Sequence, residues 1–275
     1  NPSEEPNNTT PSTAPPQNSE DDTNPEGESS GLYRSGHLAF YRPSTKNWRK
    51  LPLYFDNTSY EKIRKLLLKE EDYDENLVYP EDFINYFAKP SKTSFSTDFE
   101  VFFLLTPSLY GDSNYYLLKI EIVSRPQKKG EVQTGIAKEV FSQIKFDPAL
   151  VIQYRKIGRT AEEKKSSENS TSKKGPEISM PFNHHIVHLF EVDLSSKPTE
   201  GVLAQIEISY KSLKDSSVKK YNKKINLSKN DFSKIIDPAF TFLQTVAVFS
   251  EVLLDQKVSN LDYILPILGK SKESY

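Results

Sequence analysis

The sequence contains no cysteine. That excludes disulfide staples, cysteine-ligated zinc and thiol nucleophiles. Glycine is scarce, ten residues in 275, and too scattered to build a phosphate-cradling loop. No Gly-x-Ser-x-Gly nucleophile elbow occurs. With four histidines, His37, His184, His185 and His188, any Ser-His-Asp triad would have to draw on one of them. No apolar run approaches the roughly 20 residues of a membrane-spanning helix. An Arg-rich helix and an aromatic-plus-basic RNA motif are both missing, so nucleic acid is not an expected partner.

Basic residues are also missing from residues 1–31. That stretch has seven acids (Glu4, Glu5, Glu20, Asp21, Asp22, Glu26 and Glu28) among Pro, Asn, Ser and Thr. It cannot bury enough apolar surface to offset its ordering entropy and is expected to be a disordered acidic tether. The remaining chain has 36 basic against 31 acidic residues, which turns an overall charge of −2 into a mildly basic body. An acidic start without a signal peptide reads in two ways. It is either a boundary inside a disordered terminus or a tether that followed a lipid-modified cysteine.

Ordered sequence begins near Gly31. Leu38, Phe40 and Tyr41 suggest one short strand, and Trp48 with Leu51 to Phe55 another. Thr58-Ser59-Tyr60-Glu61 reads as a capping box, opening a helix with Tyr60, Ile63, Leu66 and Leu67 on one face. Pro80 starts a second short helix to Phe87, closed by Pro90. The period then changes to alternation. Phe99 to Leu105 and Tyr115 to Val123 form an expected antiparallel hairpin. In its second arm Tyr116, Leu118, Ile120 and Ile122 lie opposite Lys119 and Glu121. Val140, Ser142, Ile144 and Phe146 make the next face, and Leu150, Ile152 and Tyr154 resume it after Asp147-Pro148.

Arg159 to Glu177 has no apolar period and reads as a solvated loop. Ile186 to Val192 is a strand, and Val202 to Tyr210 pairs with Val218 to Leu227. Asp231 is the expected cap of a long helix from Phe232 to Leu254, apolar over most of its circumference and therefore buried. Ser259 to Leu268 is a last helix. The sum is α+β: a largely antiparallel β-sandwich-like domain with flanking helices, including a long buried C-terminal helix.

His184-His185-Ile186-Val187-His188 is the constellation closest to chemistry. On a helix, His184 and His188 would share a face and could hold zinc. The β-branched and aromatic residues around them favour a strand instead, and the glutamate general base of the zinc-protease motif is replaced by His185. His184 and His188 stay as candidate metal ligands, and with His185 they support an alternative reading as a zinc sensor or enzyme. Lys164-Lys165, Lys173-Lys174, Lys219-Lys220 and Lys223-Lys224 read as solvated loops and an edge-strand guard, or as a patch for an anionic surface.

Phe55 to Tyr60 and Val78-Tyr79-Pro80-Glu81-Asp82-Phe83-Ile84-Asn85-Tyr86-Phe87 resemble the segment preceding the type A domain in bacterial von Willebrand factor type A lipoproteins, D-x-D-T-A-S-Y…R-x-E-E-M-I-N-Y-F. Here Tyr54 or Phe55 stands for the first Asp, and Glu81-Asp82-Phe83 for Glu-Glu-Met. The second half is similar to the segment that follows the type A domain. Ile136 to Ala149 resembles I-A-K-D-V…F-N-P-A, and Tyr154-Arg155-Lys156-Ile157-Gly158 resembles Y-R-L-I-G. His184 to Glu191 resembles G-H-x-V-x-A-L-Y-E, with Asn183 for Gly and His188 for Ala. Between the halves, where the family carries its type A domain, this chain has residues 124–135.

The adhesion motif D-x-S-x-S would suit a divalent cation, but its nearest counterpart, Asp193-Leu194-Ser195-Ser196-Lys197, has Lys197 at the second Ser. The resemblance thus implies a single discontinuous domain over 32–275, with halves 32–123 and 136–270 closed by the loop 124–135. It also implies that Tyr115–Val123 and Val140–Phe146 are adjacent strands, since a guest domain enters and leaves at neighbouring points. By function it implies a non-enzymatic binding or scaffolding module of the bacterial cell envelope, periplasmic or surface-exposed. The module would need no cofactor, meet a protein partner, and touch the membrane through an N-terminal lipid anchor only. An accessory subunit docking on a full-length type A protein is a further alternative.

Overall fold

The computed structural model describes residues 40–53, 58–91, 94–108, 115–158, 179–194, 200–228, 231 and 237–254. The tether 1–31, the loop from Arg159 to Glu177 and the helix from Ser259 to Leu268 lie outside the described residues.

Two four-stranded antiparallel sheets stack face to face, and helices cover the outer face of one of them. The first sheet has the order β1 (Arg49–Leu51), β4 (Ala137–Phe146), β7 (Gly201–Ser212), β8 (Val218–Leu227). The second has the order β2 (Phe99–Pro107), β3 (Tyr115–Ser124), β6 (His185–Leu194), β5 (Val151–Lys156). Above the second sheet lie α1 (Thr58–Leu68), α2 (Pro80–Phe87) and α3 (Pro238–Leu254). The fold is α+β, with a sandwich core and a buried C-terminal helix, as its patterning dictates.

Side-chain alternation decides which residues meet between the sheets. Leu118, Ile120 and Ile122 of β3 join Ile144 and Phe146 of β4, Phe190 of β6 and Ile206 and Ile208 of β7 in one apolar core. The opposite face of β3 is not solvent, however. Leu117 packs with Val187, Leu189, Ile84 and Phe240 beneath the helices, and Glu121 on the same face is fully buried. This explains the apolar girth of α3. One side rests on the sheet through Phe240, Leu243 and Ala247, while Val246 and Leu253 meet Ile63 of α1 and Phe83 of α2. Among the described residues no helix is long and apolar enough to cross a membrane.

Both expected hairpins form. β2 and β3 pair from Phe99↔Ser124 to Pro107↔Tyr116, and β7 and β8 pair from Gly201↔Leu227 to Lys211↔Val218. β8 is an edge strand with Lys219, Lys220, Lys223 and Lys224 along it, where cations discourage pairing with another chain.

Three expectations need correction. Tyr115–Val123 and Val140–Phe146 are not neighbours: β3 is flanked by β2 and β6, and β4 by β1 and β7, in opposite sheets. The reason lies in their patterns. β3 is buried on both faces, its outer one despite Lys119 and Glu121, and sits in the covered sheet, whereas β4 alternates buried and exposed residues, as a strand with one open face must. The face Leu150, Ile152, Tyr154 is broken by a bulge between Val151 and Gln153. Val151 is buried and Ile152 is 50% exposed, because the inserted residue reverses the phase. The long helix is capped not by Asp231 but by Asp237, whose Oδ1 accepts from Phe240 N at 3.0 Å. Pro238 explains this, since proline has no N–H to donate and suits the first helical position. Residues 232–236 lie outside the described residues.

The segment 125–136 crosses from one sheet to the other and is tightly held. The Arg125 guanidinium grips Glu131 with two bonds of 2.8 and 2.7 Å, donates to Asp98 Oδ1 at 2.9 Å, and lies over the Phe182 ring. Asp98 also accepts from Tyr210 Oη at 2.9 Å. Burial and that carboxylate push the phenol above its ordinary range. Arg125, helped by the Lys128 amide, holds the Glu131 carboxyl at about 2, below its usual 4.5. A carboxyl depressed in the folded state stabilises it above the unfolded value, and that contribution is lost as pH falls. Urea midpoints should therefore drop between about pH 4.5 and 2, and Glu131→Gln should lower stability at pH 6 while flattening this part of the profile. Each sheet combines strands from before and after the crossover, β1 with β4, and β2 and β3 with β5 and β6.

Candidate functional site

The three histidines 184, 185 and 188 do not converge. As part of a strand and its lead-in, they alternate. His185 Nε2 lies 3.1 Å from the Ala88 carbonyl at the end of α2. His188, 1% exposed, sits opposite Ile120 on the inter-sheet face. Burial lowers the pKa of His184, against the raising effect of its bond to the Leu53 carbonyl. Among the described residues no group of three His, Asp or Glu side chains is placed to hold a metal ion. In Asp193-Leu194-Ser195-Ser196-Lys197, the Asp193 carboxylate accepts from Gln153 Nε2 at 3.2 Å, and 195–197 lie outside the described residues.

What does converge is a polar seam between the second sheet and its helices. Arg155 on β5 is registered opposite Glu191 on β6, and its Nε donates to Glu191 Oε2 at 2.6 Å. Its other nitrogens reach Glu251 on α3, at 2.8 and 3.4 Å. All three side chains are buried. Ser108 Oγ donates to the second oxygen of Glu191 at 2.8 Å, and Phe40 lies against the guanidinium. Nearby, Glu121 accepts from both the amide and the hydroxyl of Ser91 at 2.7 Å, with Lys119 at 3.6 Å. Sequence reasoning missed this triad, although Glu251 is the only charged residue in α3. A lone carboxylate in so apolar a helix must find a buried cation.

Beside the triad, Asn85 of α2 replaces a strand. β5 stays beside β6 as far as the bond from Ile157 N to Leu189 O. The chain then turns away at Gly158, where φ is +92°, leaving both backbone groups of the buried Val187 without a ladder partner on that side. The Asn85 amide meets both: its Oδ1 accepts from Val187 N at 2.8 Å, and its Nδ2 donates to Val187 O at 3.0 Å. The same Nδ2 donates to Glu81 O, one turn back. Asn85→Ala should cost about 2 kcal/mol in chemical denaturation, because two buried backbone groups lose their partner. Asn85→Asp should cost a similar amount, since a carboxylate cannot donate to the Val187 carbonyl.

The opposite surface of the molecule is built differently. Among the described residues no helix lies over the outer face of the first sheet. Lys50, Lys138, Phe141, Gln143, Lys145, Gln205, Glu207, Ser209, Lys211, Lys220, Asn222 and Lys224 all project there by strand register, and each is exposed or half-exposed. The acids Glu139 and Glu207 pair with Lys211 at 3.7 Å and Lys220 at 3.5 Å.

Comparison of the chain with family models, with curated proteins and with solved structures finds no match.

Proposed function

We propose that the chain is a non-enzymatic binding or scaffolding module of the bacterial cell envelope, presenting the open face of the β1-β4-β7-β8 sheet to its partner. One contrast carries this reading: the buried face is closed by structural bonds while the open face is an organised polar surface. In the seam, Arg155, Glu191, Glu251, Asn85 and Glu121 are engaged by neighbours from other elements. A catalytic group must instead be able to reach a substrate.

The placing of the seam residues also supports the kinship with type A lipoproteins proposed from the sequence. The stretches 81–87, 154–158 and 184–191, which bear that resemblance, meet one another through Asn85 and Val187, Gly158 and Glu81, and Arg155 and Glu191. In this reading the shared residues are the joints of a scaffold, and ligand preference resides on the free sheet face.

Fractionation of cells that make the native protein tests the location. The protein should sediment with the envelope and leave it on detergent extraction, and recovery in the cytoplasmic fraction would overturn the reading.

A further inference from the structure

We infer that the open face of the first sheet binds a strand of acidic polysaccharide, a chain of sugar rings bearing carboxylate or sulfate groups. This rests on reading the chain as a binding module and names the chemistry of its ligand.

The face is cationic against the balance of the whole chain. Six lysines, Lys50, Lys138, Lys145, Lys211, Lys220 and Lys224, share it with two glutamates, Glu139 and Glu207, although the protein's net charge is −2. Every cation is a lysine; the one arginine of β1, Arg49, turns inward over Tyr41. Ammonium groups act as mobile point charges, suited to anions spaced along a polymer rather than to forked grip on one phosphate.

The order of the side chains across the strands adds specificity. One row runs Lys145, Gln205, Lys224; the next Lys50, Gln143, Glu207, Asn222; the next Phe141, Ser209, Lys220. Each row thus sets an ammonium beside an amide or hydroxyl. Neighbouring strands lie about 4.8 Å apart and successive rows about 6.8 Å. An acidic sugar offers the complementary pair on each ring, an anionic substituent for lysine and hydroxyls that both donate to and accept from an amide. At the end of the face, Thr45, Lys145, Asp147 and Gln205 line a shallow cavity of about 90 Å³ together with apolar side chains of β4 and β7.

The aromatic residues separate this ligand from nucleic acid. Lys145 Nζ lies 5.0 Å over the Trp48 ring, and Lys50 Nζ 5.8 Å over Phe141. Rings held beneath cations are not free to stack on nucleic-acid bases.

The test uses the full chain and isothermal titration in 0.05 and 0.15 M salt (roughly 14 and 8 Å of screening length). The probes are polygalacturonate, dextran sulfate and neutral dextran, with single-stranded oligothymidylate and phosphatidylglycerol vesicles as rival polyanions. Polygalacturonate or dextran sulfate should bind, more weakly at higher salt, and neutral dextran should not; the two acidic probes tell carboxylate from sulfate. K145E/K220E/K224E should weaken the acidic glycan about tenfold or more. K62E/R64E/K65E, an equal charge change on the exposed side of α1, should weaken it less than about twofold. Q143A/Q205A/N222A should weaken it without altering its salt dependence, because amides carry no charge. Circular dichroism of each variant confirms the fold. The inference is overturned if neither acidic glycan binds, if the α1 variant weakens binding as much as the sheet variant, or if oligothymidylate or the vesicles bind more tightly. A protein that sediments with the envelope yet binds neither glycan would refute this ligand and keep the binding-module reading.

Discussion

Arg155→Ala is expected to lower stability by about 3–5 kcal/mol, the usual consequence of removing one partner from a buried charge cluster. The substitution leaves Glu191 and Glu251 facing one another in a site closed by sheet and helix. Among the described residues their remaining donor is Ser108, which reaches only Glu191. Two carboxylates then share a dry space without the cation that joined them. A urea titration at pH 7 should show the midpoint falling with little change in slope. Glutamine at both acidic positions in the Arg155→Met background should restore much of the loss, because the charge and not the volume is at fault. If Arg155→Ala alone costs less than about 1 kcal/mol, the triad is not sealed as described. Arg155→Lys is not a safe substitute, since a single ammonium cannot reproduce the fork that spans β6 and α3.

Gly158→Ala should cost roughly 3–4 kcal/mol, near the upper end for single substitutions. Two causes act together. The backbone has φ +92°, a region costly for any residue with a β-carbon. That carbon would also overlap the Glu81 carboxylate and lie 3.1 Å from the Glu81 backbone nitrogen. The carboxylate belongs to a residue only 2% exposed, so it has little room to withdraw, and the nitrogen is fixed in the first turn of α2. Gly130 separates the causes. Its φ is +88°, yet an added carbon there meets nothing within 4 Å. Gly130→Ala should therefore cost only about 1 kcal/mol, for backbone strain alone. Equal losses at the two glycines, measured by denaturant midpoints, would refute the close approach of α2 to β5.

The sequence disclosed what local rules govern. The β2–β3 and β7–β8 hairpins are short-range and strictly alternating, and α2 announces itself with Pro80, so their pairing follows from residues close together. Which sheet each strand joins is a long-range matter. The β3–β6 pairing spans about sixty residues, from Val123 to His185, and no turn signal encodes it. Reasoning from a supposed guest domain to neighbouring strands failed for that reason. The phase of β5 was lost to one inserted residue at Ile152. In the seam the clue was readable in Glu251, but its partner Arg155 lies on a strand 96 residues earlier in the chain. The lysines of β8 were legible as an edge guard, whereas their assembly with Lys50 and Lys145 on one surface needed the sheet order.

The interleaving of early and late strands has a consequence during synthesis. When β2 and β3 leave the ribosome, the strand that flanks β3 on its other side, β6, has not yet been translated, and neither has β4, the strand that pairs with β1. Their apolar side chains must wait, unshielded, for more than sixty further residues. Pairings so distant also carry a large loop-closure entropy and slow the search. The nascent front half is thus a natural client for holding chaperones, and rapid expression in a foreign host should send it into inclusion bodies more readily than slow expression in the cold.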